Sequence, residues 1–166
     1  MTTAPAHLDM PLTWEDISLH AQSLALKLAD KGPDNGKWTG VIAVTTGGLV
    51  PACIVTRHLN IKNIQTFCVS SYDDQTQRKA RIIRQPTDCG DGSGWLVVDD
   101  LSDKGTTLRL IREHLPNAHY ATIYAKPAGE DAVDTYIMSV SQDTWLHFPW
   151  EENEKSYKAP GSVSAA

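Results

Sequence analysis

WLVVDDLSDKGTT, residues 95–107, decides how the rest of the 166-residue chain is read. Trp95-Leu-Val-Val98 is an apolar run of the kind that forms a strand buried on both faces of a parallel sheet. It ends in two adjacent carboxylates, Asp99 and Asp100, followed by Leu101, Ser102 and a third acid, Asp103. Lys104 and Gly105 come next, and glycine permits backbone angles that a Cβ forbids. Thr106 or Thr107 is expected to cap a helix through a side-chain oxygen, and Leu108 to Leu115 follows with amphipathic spacing. The pattern predicts strand, acidic loop, tight turn and helix.

The helix start offers unpaired N–H groups and the positive end of a dipole, which suits a phosphate. Three carboxylates beside that position repel a bare anion. A ligand that also carries hydroxyls, and a divalent metal between the acids and further phosphates, removes the conflict. A ribose 5-phosphate bearing a pyrophosphate and Mg²⁺ meets those demands.

The same unit recurs upstream. Gly40 to Thr45 reads as a buried strand, Thr46-Gly47-Gly48 as a turn and Leu49 to Leu59 as a helix, with Pro51 in its first turn. Strand, glycine turn and helix build a parallel sheet with anion sites at its strand ends; the glycine pair alone fits a plain tight turn equally well. Before it, Thr13 to Asp30 has helical spacing at Trp14, Ile17, Ala21, Leu24, Ala25 and Leu28. That stripe reads as core, Trp14 included, and Thr13 with Asp16 forms a variant of the capping box. Ile64 to Ser71 is a third strand. Tyr72 to Gly94 is polar, with Arg78, Lys79, Arg81 and Arg84, and fits either a mobile functional loop or a solvated hairpin, with Ala80 to Arg84 as a short strand inside it. Further strands are expected at Tyr120 to Ala125 and within Val133 to Val140. Residues 1–11 read as a flexible arm, 12–150 as one domain and 151–166 as a flexible tail.

Composition narrows the classes. A net charge of −5 argues against a non-specific nucleic-acid binder. Three cysteines without a close pair suggest neither a disulfide framework nor a zinc site, and fit a reducing cytoplasm. The N-terminal stretch lacks the basic region and apolar run of a signal peptide. The longest apolar stretches fall far short of a membrane span.

Asp-Asp-Leu-x-Asp-x-Gly-x-Thr after an apolar run resembles the phosphoribosyl pyrophosphate (PRPP) motif of type I phosphoribosyltransferases. Gly47-Gly-Leu-Val-Pro51, Ser70-Ser-Tyr-Asp73 with Gln77-Arg78, Ala125-Lys-Pro-Ala-Gly129, and Gln142-Asp-Thr-Trp145 with Pro149-Trp150 extend the likeness to the xanthine-guanine branch of purine salvage enzymes, over residues 12–150. The resemblance implies the α/β fold of that family: a mostly parallel twisted sheet flanked by helices, a mobile loop and a small C-terminal hood over the base. It implies transfer of ribose 5-phosphate from PRPP to N9 of xanthine or guanine, and less readily hypoxanthine.

The implied roles are specific. Asp99 and Asp100 accept from the ribose hydroxyls, and Asp100 is oriented to Mg²⁺, the implied cofactor. The loop from Leu101 and Ser102 through Asp103, Lys104, Gly105, Thr106 and Thr107 holds the 5-phosphate. Thr46 and Gly47 face the pyrophosphate, and Arg78 closes over it. Asp103 takes the N7 proton, Lys126 donates to the 6-oxo group, Trp145 stacks on the base, and the Leu146 main chain meets its 2-substituent. A homotetramer, in some members loosely attached to the inner membrane face, is also implied.

Two positions depart from the family pattern. Thr46 stands where an arginine is usual, and Lys104 where a threonine is usual. The missing arginine leaves an alternative, a non-catalytic regulator of the same fold that senses PRPP or nucleotide. A receiver domain also pairs acids at a strand end with a later Lys-Pro. It needs an aspartate on an intervening strand, and Tyr120 to Ala125 carries none.

Overall fold

The computed structural model describes residues 8–74 and 77–151, with the backbone alone at residues 71–74 and 77–79. Strand β1 (Leu8–Pro11) leads into helix α1 (Trp14–Leu28), strand β2 (Gly40–Thr45) and helix α2 (Leu49–His58). Strands β3 (Ile64–Asp74) and β4 (Gln77–Arg84) form a hairpin, and β5 (Trp95–Ser102) is followed by α3 (Thr106–His114). Strand β6 (His119–Ala125), a 3₁₀ turn at Glu130–Ala132, β7 (Thr135–Ser139) and β8 (Thr144–His147) complete the order.

Six strands lie side by side as β4-β3-β2-β5-β6-β7. All neighbours pair in parallel except β3 with β4. The apolar runs of β2 and β5 follow from coverage on both faces. Val41, Ala43, Leu96 and Val98 meet Leu24, Ala25 and Leu28 of α1 and Ala52 and Val55 of α2. Ile42, Val44, Trp95 and Val97 point the other way, onto Leu108 and Ile111 of α3. The two-residue period of a strand divides each run between the two cores. Leu108 and Ile111 are almost fully buried, which stabilises the fold by roughly 1.5–3 kcal/mol each.

Thr13 and Asp16 complete the capping box of α1. Thr13 Oγ1 accepts from Asp16 N at 3.1 Å, and Asp16 Oδ2 accepts from Thr13 N at 2.8 Å. Ile17, Ala21, Leu24, Ala25 and Leu28 are buried as the spacing predicts, but Trp14 is 57% exposed. The stripe runs out at the first turn, where the Trp14 ring stands 6.0 Å from that of Trp150 instead of entering the core.

Residues 8–11 depart from the expected flexible arm: they pair in parallel with β8, Asp9 opposite Trp145 and Met10 opposite Leu146. His147 Nε2 and Asp9 Oδ1, 2.9 Å apart, join the pair through side chains. Leu12, Ile17, Ala21, Ile123, Tyr124, Leu146 and Phe148 share one core cluster, which seats this small sheet on the main one. Over Tyr72 to Arg84 the chain takes the hairpin alternative: β3 runs on to Asp74 and pairs with β4, which contains the expected Ala80–Arg84 strand. Its Asp73–Arg78 register belongs to that ladder, while the Arg78 side chain and residues 1–7, 75–76 and 152–166 lie outside what the structure describes. Among the described residues no helix is long and apolar enough to cross a membrane.

Candidate active site

The site assembles at the C-terminal ends of β2, β5 and β6, where ligands of open parallel sheets collect. A cleft of about 490 Å³ there is lined by Asp99, Leu101, Ser102, Asp103, Lys104, Gly105, Thr106, Thr107 and Leu108, with Ala80 of β4 across from them. Gly105 adopts φ 71° and forms the N-cap of α3, and no side chain caps the helix. The expected cap from Thr106 or Thr107 is therefore not made. Both threonines fall inside the helix, beyond the cap position. The first amides of α3 are left for an anion.

Asp99 and Asp100 diverge at the end of β5. Asp99 is buried and lines the cleft. Its Oδ1 accepts from Asp100 N at 2.9 Å. Asp100 is half-buried, its Oδ1 accepts from Leu101 N at 2.7 Å, and its carboxylate fills the space beside Gly47, where any Cβ would overlap it. A side chain at Gly47 would therefore displace the Asp100 carboxylate from its place beside the turn after β2. Thr46 is exposed next to it, after a cis Thr45–Thr46 peptide.

Desolvation raises the Asp99 carboxyl well above its ordinary range, and repulsion from Asp100 adds to this. Desolvation likewise pushes Asp100 up to about 6, against hydrogen bonds that favour its charged form. Two desolvated acids at one strand end suit ligand hydroxyls and a cation. Among the described residues no group of three or more acidic, histidine or cysteine side chains forms a ready metal cage. That donor set fits an ion held jointly by Asp100 and ligand oxygens, the usual manner of Mg²⁺ with phosphates.

Asp103 and Lys126 come together from different strand ends. Lys126 Nζ lies 3.3 Å from Asp103 Oδ1, with the lysine side chain 6% exposed and the aspartate 49%. Gln142 joins them: its Nε2 donates to Asp103 Oδ1 at 2.8 Å while its Oε1 accepts from Ala128 N at 2.9 Å. Gln142 stands in a quoted motif, but its role spans 39 residues of sequence and has no local signal. The Lys126 loop is also fixed from below. Lys126 N donates to Ser102 O at 2.9 Å, and Ser102 Oγ donates to Gly129 O at 2.7 Å.

Two residues after Gln142, the small sheet begins. Trp145 is 56% exposed, while Leu146 is buried. Alternation along β8 produces this, since neighbouring side chains point to opposite faces. The structure therefore brings Asp99 and residues 101–107 into one cleft, with Asp103 bound to Lys126. Thr46, Gly47 and Asp100 form the adjoining turn, and Trp145 and Leu146 stand on the strand that follows Gln142.

The phosphoribosyl transferase domain model matches residues 8–157. The chain belongs to the phosphoribosyltransferase family. This phosphoribosyltransferase is 47% identical over 161 residues to the xanthine-guanine phosphoribosyltransferase of Nitratidesulfovibrio vulgaris (strain Hildenborough), covering 96% of this chain and 95% of that one. It is 50% identical over 142 residues to the enzyme of the same name from Cereibacter sphaeroides, covering 84% and 85%. Among solved structures, the purine phosphoribosyltransferase of Pyrococcus horikoshii superposes with a TM-score of 0.73 at 29% identity, covering 87% and 95%.

Proposed function

We propose that this phosphoribosyltransferase transfers the 5-phosphoribosyl group of PRPP to N9 of a 6-oxopurine, xanthine or guanine and less readily hypoxanthine, releasing pyrophosphate for purine salvage. The observation that carries the reading is the Asp103–Lys126–Gln142 cluster, set beside the uncapped start of α3 and the acid pair.

The amides of Lys104 to Thr107 hold the 5-phosphate, and Asp99 and Asp100 accept from the ribose hydroxyls. Trp145 stacks on the purine, and base–aromatic stacking contributes roughly 1–3 kcal/mol. Lys126 donates to the 6-oxo oxygen, and the Leu146 main chain meets the 2-substituent. N9 then attacks C1 of the ribose as the bond to pyrophosphate breaks, and the electron pair leaves with pyrophosphate. The transition state is oxocarbenium-like. The N7 proton passes to Asp103, a general-base step of roughly 10²–10⁴-fold. Lys126 and Gln142 hold the Asp103 carboxylate for that proton.

Asp100 would hold Mg²⁺ together with PRPP oxygens, and the ion would supply neutralising charge for the pyrophosphate leaving group. Thr46, Gly47 and Arg78 are assigned to that pyrophosphate by the motif resemblance. Assembly as a homotetramer with loose contact to the inner membrane face rests on the motif resemblance, and a cytoplasmic location rests on the cysteine pattern. The test is product identity. Incubation with PRPP, Mg²⁺ and each base in turn, followed by chromatography and mass spectrometry, is expected to yield XMP and GMP readily and IMP more slowly. Nucleotide from adenine but not from 6-oxopurines overturns the assigned Lys126 contact.

A further inference from the structure

Arg109 lies one turn into α3, outside the cleft, and the steps above do not use it. Its Nη1 donates to the carbonyl of Lys104 at 2.6 Å. Its Nη2 donates to the carbonyl of Ala128 at 3.2 Å and pairs with Asp131. One guanidinium thus binds the loop of residues 103–107 and the loop of residues 126–131 together. A Cβ on Gly105 would come within 3.0 Å of the Arg109 Cζ, so the loop backbone rests on the guanidinium.

As an ion pair alone this arrangement does little. The side chains of Arg109 and Asp131 are 46% and 75% exposed, and such surface pairs contribute little to stability. The carbonyl contacts matter more. In a trans peptide the N–H points opposite to the C=O. With the Lys104 carbonyl turned to Arg109, the Gly105 N–H points away from it, and Lys104 and Gly105 both line the cleft. A charged donor on the carbonyl polarises the peptide and strengthens its N–H toward an anion. The Ala128 carbonyl, bound by the same fork, belongs to the peptide chain two residues from Lys126, and the Ala128 amide is held by Gln142.

We propose that Arg109 is a positioning residue that couples the 5-phosphate loop to the purine loop, so that a ligand in one raises affinity in the other. The proposal rests on the phosphoribosyltransferase reading. Ordering of the Lys104–Gly105 peptide by phosphate fixes the guanidinium, and the fixed guanidinium in turn holds residues 126–131 in the geometry that presents Lys126. Coupling between the two half-sites is reciprocal, as any linkage must be.

Ribose 5-phosphate and guanine probe the two loops separately, and without pyrophosphate they do not react. Calorimetry on the full chain measures each alone and guanine at saturating ribose 5-phosphate. The wild type is expected to bind guanine at least about fivefold tighter when ribose 5-phosphate is present. Arg109→Met is expected to weaken ribose 5-phosphate about tenfold, the scale of a lost charged hydrogen bond, and to abolish the coupling. Arg109→Lys keeps the charge without the fork and is expected to fall between. Asp131→Asn removes only the exposed ion pair, keeps both carbonyl contacts and is expected to leave the coupling near the wild-type value. Arg109→Lys decides the matter if Arg109→Met does not fold. Unchanged coupling in Arg109→Met or Arg109→Lys, or a lowered melting temperature with coupling intact, overturns the proposal. A wild type that binds neither PRPP nor ribose 5-phosphate overturns the phosphoribosyltransferase reading instead.

Discussion

Lys126 places its Nζ 3.3 Å from Asp103 Oδ1, a buried ammonium answered by a half-exposed carboxylate. A buried charge needs a partner, and one half of this one faces the cleft. The pair can therefore turn toward a ligand that offers the lysine an oxo group and the aspartate a proton. Lys126→Met keeps the length of the side chain and removes its charge. It is expected to lower kcat/KM for 6-oxopurines by roughly 10- to 100-fold, the worth of a charged hydrogen bond, with PRPP affinity little changed. Steady-state kinetics with each substrate varied checks it.

Gln142 holds Asp103 through an amide N–H at 2.8 Å. Gln142→Glu sets a carboxylate against a carboxylate at that distance. Like charge raises a carboxyl pKa. The acid limb of the kcat/KM profile is therefore expected to move to higher pH, and kcat near neutrality to fall. An unmoved limb means that Gln142 does not act through Asp103.

Much of this arrangement is legible in the sequence, and the exceptions have physical causes. β2 and β5 read as strands because burial on both faces demands apolar side chains throughout. Gly105 reads as a turn because its φ of 71° requires glycine. Leu8–Pro11 does not read as a strand. Its four residues include Asp9 and Pro11 and form a strand only through the partner β8, more than 130 residues away. Residue type predicts a threonine cap on α3, whereas Gly105 takes the cap position and leaves both threonines past it. Gln142 and Arg109 carry no signal of their own, because their partners are brought near by the fold and not by spacing.

Thr46 is exposed at the turn beside Asp100. Arginine there offers a planar fork to pyrophosphate oxygens. Thr46→Arg is expected to tighten PRPP binding by about tenfold in low salt, and less in high salt, given the worth of a charged hydrogen bond. A dissociation constant unchanged at low salt places pyrophosphate recognition elsewhere, and Lys104→Thr becomes the informative variant.

The acid pair costs stability in the ligand-free chain. The Asp100 carboxyl titrates near 6 when folded, above its ordinary 3.8, so the folded chain holds the proton more strongly. Stability then declines as pH rises from about 4 to 6 and stays depressed above. Asp100→Asn removes that cost. Its melting temperature is expected to exceed that of the wild type by a few degrees at pH 8, with the difference fading toward pH 4, and Mg²⁺-dependent PRPP binding is expected to be lost. Thermal denaturation at the two pH values checks the sign.

The most direct test compares the wild type with Asp103→Asn. Xanthine, PRPP and Mg²⁺ are mixed with each protein, ultraviolet absorbance follows nucleotide formation, and calorimetry follows PRPP binding. The account predicts that the wild type converts xanthine to XMP, while Asp103→Asn binds PRPP as tightly but turns over about a hundredfold or more slowly, the scale of a lost general base. A wild type that binds PRPP yet converts no 6-oxopurine, or an Asp103→Asn variant that turns over at the wild-type rate, contradicts it.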